Sequence, residues 1–76
     1  MLEPLVRRLT RAVQDVLATE SERRAGAGDA ALALPAQQAL ALKTLHRELA
    51  DVDQQRLREG RPRLSAADEE RITTAV

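Results

Sequence analysis

The chain of 76 residues contains no phenylalanine, tyrosine, tryptophan or cysteine, and it has one histidine. Without aromatic rings it has no platform on which unpaired nucleic-acid bases stack. Without cysteine it has no disulfide, no thiol nucleophile and no thiolate metal site. A single histidine cannot supply a histidine-rich metal site. These absences exclude several functional classes and leave a small helical module as the default interpretation.

An excess of charge of one sign is also missing. Twelve Lys and Arg residues balance twelve Asp and Glu residues, so the formal net charge is zero. A neutral chain lacks the positive field that drives general phosphate binding, and we expect no nucleic-acid partner. No run approaches the roughly 20 apolar residues that cross a bilayer, and residues 1–4 lack the features of a signal peptide. The expected location is cytoplasmic, without direct insertion into a membrane.

Large apolar side chains are few. The chain has 12 Leu, 5 Val, 1 Ile and 1 Met, beside 14 Ala. A domain of this size buries a small fraction of its surface when it folds. We therefore expect a marginally stable fold that gains stability by self-association or by docking on another surface.

The first segment, residues 2–21, has the periodicity of an amphipathic helix. Its large apolar residues recur three and four positions apart: Leu2, Leu5, Val6, Leu9, Val13, Val16 and Leu17. Pro4 lies in the first turn, where proline removes no helical hydrogen bond. The periodicity fails over residues 22–34, where Gly26 and Gly28 predict a flexible linker.

The second segment, residues 35–59, is predicted as a long helix that begins at Pro35 and stops at Gly60. Four apolar residues with 3-4-3 spacing form a seam along it: Leu42, Leu45, Leu49 and Val52. Leu40 and Leu57 project away from this seam. These two leucines are candidate protein-contact residues, because they either touch the third helix or form a second surface that faces a partner.

The third segment, residues 65–76, starts with Ser65 followed three residues later by Asp68, the layout of a capping box with Asp in place of Glu. Its apolar pattern runs to Val76 without a stop signal, so we expect residues 1–76 to be the N-terminal fragment of a longer protein. The three segments predict an all-α fold, a small three-helix bundle of two long helices and a shorter capped one. The heptad-like spacing also suits a coiled coil between two chains.

No residue pattern indicates a catalytic, cofactor-binding or metal site. His46 lies beside the seam of the second helix, without a partner that would make it a proton donor. Asp51 and Asp53 are two residues apart and do not face each other on a helix. The acidic run 68–70 is explained by its place in the first turn of a helix, where the helix dipole favours carboxylates.

Three arginines of the first segment, Arg7, Arg8 and Arg11, lie between Glu3 and Asp15. Arginines can bind phosphate groups, but carboxylates on both sides favour a solvated and internally paired face. We therefore assign them no ligand.

Residues 60–76, Gly-Arg-Pro-Arg-Leu-Ser-Ala-Ala-Asp-Glu-Glu-Arg-Ile-Thr-Thr-Ala-Val, resemble the segment just upstream of the first ATPase-associated domain in CpaF-like secretion ATPases. These ATPases are the cytoplasmic motors of Tad/Flp pili and of related type II/IV secretion systems. In that family a Gly-x-Pro turn precedes a Ser-capped acidic helix. The chain ends before the ATP-binding motifs, so no catalytic residue is carried over, and ATP and magnesium belong only to the parent protein that the resemblance implies.

The resemblance implies a non-catalytic N-terminal domain for protein interaction and assembly in a pilus-assembly or secretion ATPase. Its expected partners are neighbouring ATPase subunits, a membrane platform or a regulator. Such partners would hold it at the periphery of the inner membrane through a secretion complex. The alternative is a stand-alone helical adaptor or a homodimerisation module.

Overall fold

Three α-helices form the fold in the computed structural model, which describes residues 2–76. Helix α1 spans Glu3–Ala27, α2 spans Leu34–Arg58 and α3 spans Ala66–Ala75. No strand occurs among the described residues, which confirms the predicted all-α class. Helices α1 and α2 form an antiparallel hairpin, and the shorter α3 packs against one end of it.

The core lies between α1 and α2 and beneath α3. Leu9 of α1 and Ile72 of α3 are fully buried. The remaining buried apolar side chains are Val13, Leu45, Leu49, Val52 and Leu64. Ile72 is the one buried residue of α3, so this helix is held by a single deeply inserted side chain together with Leu64 in the turn before it.

The predicted seam of α2 is buried at three of its four positions. Leu42 is the exception, with 48% of its surface exposed. The side chain lines a groove together with Thr73 and Val76, at the level where α3 ends. Thr73 and Val76 lie beside Leu42 without covering it, so the predicted seam is buried within one chain at Leu45, Leu49 and Val52 only.

Helix α1 extends to Ala27, six residues beyond its predicted end, so the flexible linker predicted over residues 22–34 is wrong for its first six residues. Loss of apolar periodicity does not end the helix. Glu20 forms ion pairs with Arg23 at 2.7 Å and with Arg24 at 3.1 Å, at the spacings that stabilise a helix. The connector that remains between α1 and α2 is residues 28–33.

The two long helices end in the same way. Gly28 has φ +73° and Gly60 has φ +75°, the left-handed conformation that lets the next amide turn back on the last helical carbonyls. The amide of Asp29 donates to the carbonyl of Arg24 at 2.8 Å, and that of Arg61 donates to the carbonyl of Arg56 at 2.8 Å. Both ends are Schellman motifs.

Each of these motifs is reinforced by its arginine. The Arg24 guanidinium donates to the carbonyl of Ala30 at 3.2 Å, and the Arg56 guanidinium donates to the carbonyl of Pro62 at 2.7 Å. In both cases the acceptor lies six residues further along the chain. The repeated arrangement, an arginine four residues before a glycine, ties the outgoing chain to the end of its helix.

The turn between α2 and α3 is also fixed by Asp53 and Ser65. The backbone amide of Leu64 donates to the Asp53 carboxylate at 2.9 Å, which positions Leu64 for burial. The Ser65 hydroxyl accepts from the amide of Asp68 at 3.1 Å. The predicted N-cap of the third helix is therefore confirmed.

The molecule is elongated, with principal extents of 47 × 22 × 17 Å and a radius of gyration of 14.5 Å. A compact domain of this length has a radius of gyration of about 11 Å. The accessible surface is 5674 Å², whereas a compact monomer of this mass exposes about 4,600 Å². The fold thus exposes about 1,000 Å² more than a compact domain does.

Candidate interaction surface

The two predicted contact residues, Leu40 and Leu57, lie in different environments. Leu57 has 50% of its surface exposed. Leu40 is half-buried at the junction of the two long helices, where it lines a depression with Val16 and Thr19 of α1. The two leucines are also separated by about 25 Å along α2, since a helix rises about 1.5 Å per residue. They do not form one surface.

Leu57 instead belongs to a line of residues on the outer side of α2. Positions three and four apart share one face of a helix, and this line is exposed except at Asp53, which is half-buried. We call it the outer stripe. Its members are Ala39, Leu42, His46, Ala50, Asp53 and Leu57.

The outer stripe has a large leucine near each end and small or polar residues between. Leu42 and Leu57 are 48% and 50% exposed, and Ala50 lies between them. His46 and Asp53 place one imidazole and one carboxylate on the same line. An apolar stripe with a polar centre is suited to contact with another helix rather than to chemistry on a small molecule.

A groove of about 200 Å³ borders the stripe at Leu42, where α1, α2 and α3 come together. Its walls are mainly apolar and include Ala41 and Leu45 of α2 and Val76 beyond α3. We call it the Leu42 groove. Val76 is itself 36% exposed, so apolar surface continues from the stripe onto the end of the chain.

A second groove, of about 670 Å³, lies between the start of α1 and the outer side of α3. Leu2 and Val6 form its apolar floor, and the charges around it come from Glu3, Arg7, Asp68 and Arg71. Two carboxylates balance two guanidinium groups. This groove has no net charge to select an anion or a cation.

The histidine and the acidic residues to which the sequence assigns no chemistry are dispersed. His46 is exposed on the outer stripe, and Asp51 is exposed on another face of α2. Asp68 is half-buried at the start of α3, where its backbone amide is held by Ser65. Within residues 2–76, no three His, Asp or Glu side chains lie close enough to hold a metal ion.

The arginine face of α1 is not paired as the sequence predicts. Ion pairs within residues 2–76 involve Glu20 and Glu59 as their carboxylate partners. Arg7, Arg8 and Arg11 are exposed and form none of these pairs. The predicted internal pairing of this face is therefore wrong, because Glu3 and Asp15 do not approach the arginines closely.

Glu20 has the most perturbed carboxylate. Hydrogen bonds from Arg23, at 3.0 and 2.7 Å, are the main cause that lowers its pKa from 4.5 to about 2. Partial burial opposes this shift, and Arg24 adds to it. In return, the carboxylate raises the pKa of Arg23. This cluster stabilises the far end of α1.

The sequence pattern identifies Leu57 as a candidate contact residue. It does not by itself distinguish the outer stripe, to which Leu57 belongs, from the seam that packs in the core. Leu42 fits the seam by spacing. It also lies fifteen residues before Leu57, a separation that places the two side chains within about 60° of each other around the helix axis. Asp53 stands out in the sequence only as half of a carboxylate pair. The signal that could have found the stripe is the continuous spacing of three and four from Ala39 to Leu57.

Comparison with known proteins found no protein-family model, no curated protein and no solved structure that matches this chain. Among residues 2–76, no helix combines the length and the apolar character that crossing a bilayer requires. The exposed surfaces of this fold are therefore the basis for inferring its function.

Proposed function

We propose that this chain is a non-catalytic protein-interaction domain whose docking surface is the outer stripe of α2. The observation that carries the proposal is the pair Leu42 and Leu57, each about half exposed on one helical face. Burying a leucine side chain contributes roughly 1.5–3 kcal/mol. A partner that covers both leucines would therefore gain a large part of its affinity from them.

The shape of the molecule supports this role. Its surface exceeds that of a compact domain by about 1,000 Å², and one partner in a typical stable complex buries about 800 Å². Among residues 2–76 the core contains seven buried apolar side chains. A domain with so small a core gains stability when a partner covers its remaining apolar surface.

The resemblance of residues 60–76 to CpaF-like secretion ATPases gives the proposal a specific form. In that form the chain is an N-terminal assembly domain that contacts neighbouring ATPase subunits, a membrane platform or a regulator. It would act in the cytoplasm, at the periphery of the inner membrane. The resembling segment contains Gly60 and Ser65, which end α2 and begin α3.

A binding experiment tests this specific form. The purified chain is titrated calorimetrically with the pilus or secretion ATPase and with the platform protein encoded in the same genome. We expect binding to at least one of them, and we expect Leu57→Glu to weaken it by about tenfold or more, because a leucine contact is lost and a charge is desolvated.

Gln55→Glu is the matched control for Leu57→Glu. It places the same charge on an exposed position of the same helix, about 160° around the helix from Leu57. Binding that survives Gln55→Glu but not Leu57→Glu supports the docking surface. No binding to either protein would contradict the secretion assignment, and equal effects of both substitutions would contradict the role of the stripe.

A further inference from the structure

We infer that the occupant of the outer stripe is a second copy of this chain, bound so that the two α2 helices run antiparallel about a two-fold axis close to Ala50. This inference rests on the proposed interaction role of the stripe, but it does not depend on a secretion ATPase as partner. Four features support it: the register of the stripe, its charges, the Leu42 groove and the exposed area.

The register of the stripe is self-complementary. A two-fold axis between residues 49 and 50 brings together residues whose numbers are equally far from that point, since a two-fold interface presents the same patch from both subunits. Leu42 of one copy then lies opposite Leu57 of the second copy, and the reverse pair forms at the other end. Leu42 and Leu57 are each about half exposed in a single copy. The two equivalent pairs cover both leucines in both copies.

The same axis pairs the two polar members of the stripe. His46 of one copy lies opposite Asp53 of the second copy, so an imidazole N–H can donate to a carboxylate at two symmetric places. One oxygen of Asp53 accepts from the Leu64 amide at 2.9 Å, and a carboxylate has a second oxygen that can accept from the imidazole. In a parallel arrangement with residues in register, each histidine would instead face a histidine and each aspartate an aspartate.

Ala50 lies nearest the axis. Helices that pack closely approach to axial distances of about 8–10 Å, the lower end requiring small side chains at the contact. An alanine at the crossing point therefore lets the two α2 backbones come close enough for the leucines to reach across. The end of each copy's α2 would then bring Leu57 to the partner's Leu42 groove.

The Leu42 groove provides space for that leucine. Its volume is about 200 Å³, and Leu45, Ala41 and Val76 supply apolar walls. The insertion of Leu57 from the second copy would bury the groove walls together with the leucine. The elongated fold exposes about 1,000 Å² more than a compact domain, and a standard interface covers roughly 800 Å² per subunit.

Disulfide crosslinking tests the register, because the chain has no cysteine of its own. Single variants Leu42→Cys, Leu57→Cys, Ala50→Cys and the off-stripe control Asp51→Cys are purified, checked for helicity and oxidised mildly. Disulfides need Cα atoms about 4.4–6.8 Å apart. We expect Ala50→Cys to crosslink with a second copy of itself. We also expect a mixture of Leu42→Cys and Leu57→Cys to crosslink about tenfold faster than either variant alone. The factor follows because the effective concentration within a dimer is in the millimolar range, whereas the protein is at about 100 µM.

Three results would overturn the inference. Self-crosslinking of Leu42→Cys as fast as its crosslinking with Leu57→Cys would indicate a parallel or random contact. An Asp51→Cys control that crosslinks as fast as the stripe variants would indicate collision without a defined surface. Absence of crosslinking at every position would also overturn it. If the calorimetric binding to an ATPase or platform protein persists in that last case, the stripe serves another protein and the proposed function stands without the dimer.

Discussion

Glu20 accepts hydrogen bonds from Arg23 and Arg24 in the last two turns of α1, where none of residues 20–27 is fully buried. Ala18, Thr19 and Ser21 around it are exposed, so local interactions rather than core packing maintain the helix there. Such a cluster depends on the charge of one carboxylate. The consequence is a specific dependence of the end of α1 on pH.

The lowered pKa of Glu20 sets the sign of that dependence. The folded pKa of about 2 lies below the ordinary value of 4.5, so the contribution to stability is complete above pH 4.5 and is lost as the pH falls towards 2. We expect amide exchange in residues 20–27 to be slower in the native chain than in Glu20→Gln above pH 4.5. The difference should vanish near pH 2 and should shrink in high salt, since the pair is accessible to solvent.

Glu22→Gln is the control for this comparison, because Glu22 is exposed and outside the cluster. Its exchange rates should follow those of the native chain. Equal effects of the two substitutions would show that net charge, rather than the Glu20 cluster, governs the end of α1.

Asp53 illustrates what the sequence does not reveal at the scale of one residue. Its hydrogen bond with the Leu64 amide spans eleven positions along the chain, and no local pattern indicates such a distant partner. Ser65 can be predicted as an N-cap because its acceptor role is local. Residue roles that depend on neighbours in sequence are accessible to prediction, whereas those that depend on tertiary contact are not.

Replacing Asp53 by alanine should destabilise the fold by about 1–2 kcal/mol, because the Leu64 amide loses a charged acceptor in a partly buried position. Asp51→Ala removes the same group from an exposed site two residues away and should stay within about 0.5 kcal/mol of the native value. Urea unfolding followed by circular dichroism in dilute solution measures both. A smaller effect of Asp53→Ala than of Asp51→Ala would contradict the conclusion that Asp53 holds the α2–α3 turn in place.

At the scale of the element, the helix ends show how far sequence patterns predict the structure. The glycine stop of α2 at Gly60 is predictable because Pro62 follows it, and the structure confirms it. The end of α1 lies six residues beyond its predicted position, because loss of apolar periodicity is not loss of the helix. Alanine and ion pairs at positions three and four apart continue a helix without any apolar stripe.

Gly26 and Gly28 provide a matched test of this helix end. Gly26 lies inside α1, and nothing lies within 4 Å of the place that an alanine methyl group would take there, so Gly26→Ala should stabilise the fold by about 0.5–1 kcal/mol. Gly28 has φ +73°, so Gly28→Ala should destabilise it by about 1–2 kcal/mol. Thermal unfolding of the two variants measures the signs. Stabilisation by both would place the end of α1 beyond Gly28.

Helix α3 depends on Ile72, its one fully buried side chain. Ile72→Val should cost about 0.5–1.5 kcal/mol, the range for removal of one buried methyl group. The exposed Thr74 offers a control on the same helix, and Thr74→Ala should change stability by less than about 0.5 kcal/mol. Chemical unfolding measures the free energy of unfolding of both variants. Equal losses for Ile72→Val and Thr74→Ala would contradict the packing of α3 through Ile72.

At the scale of the whole molecule, an elongated hairpin with a short third helix accounts for the exposed apolar residues. The helix count and the small core are predictable from the sequence, because both follow from apolar periodicity. The exposure of Leu42 is not, because it depends on how Thr73 and Val76 lie beside α2. The outer stripe is the result, and it is the surface to which we assign the function.

The most direct test of this assignment is the mass of the chain in solution, measured by sedimentation equilibrium from about 10 µM to about 1 mM, a range that detects micromolar to millimolar association. We expect a shift from the monomer mass of 8.4 kDa towards twice that value for the native chain and for Gln55→Glu. Leu57→Glu should remain a monomer throughout, with helicity retained. A native chain that stays at the monomer mass over the whole range, or a Leu57→Glu variant that dimerises as the native chain does, would contradict dimerisation through the outer stripe.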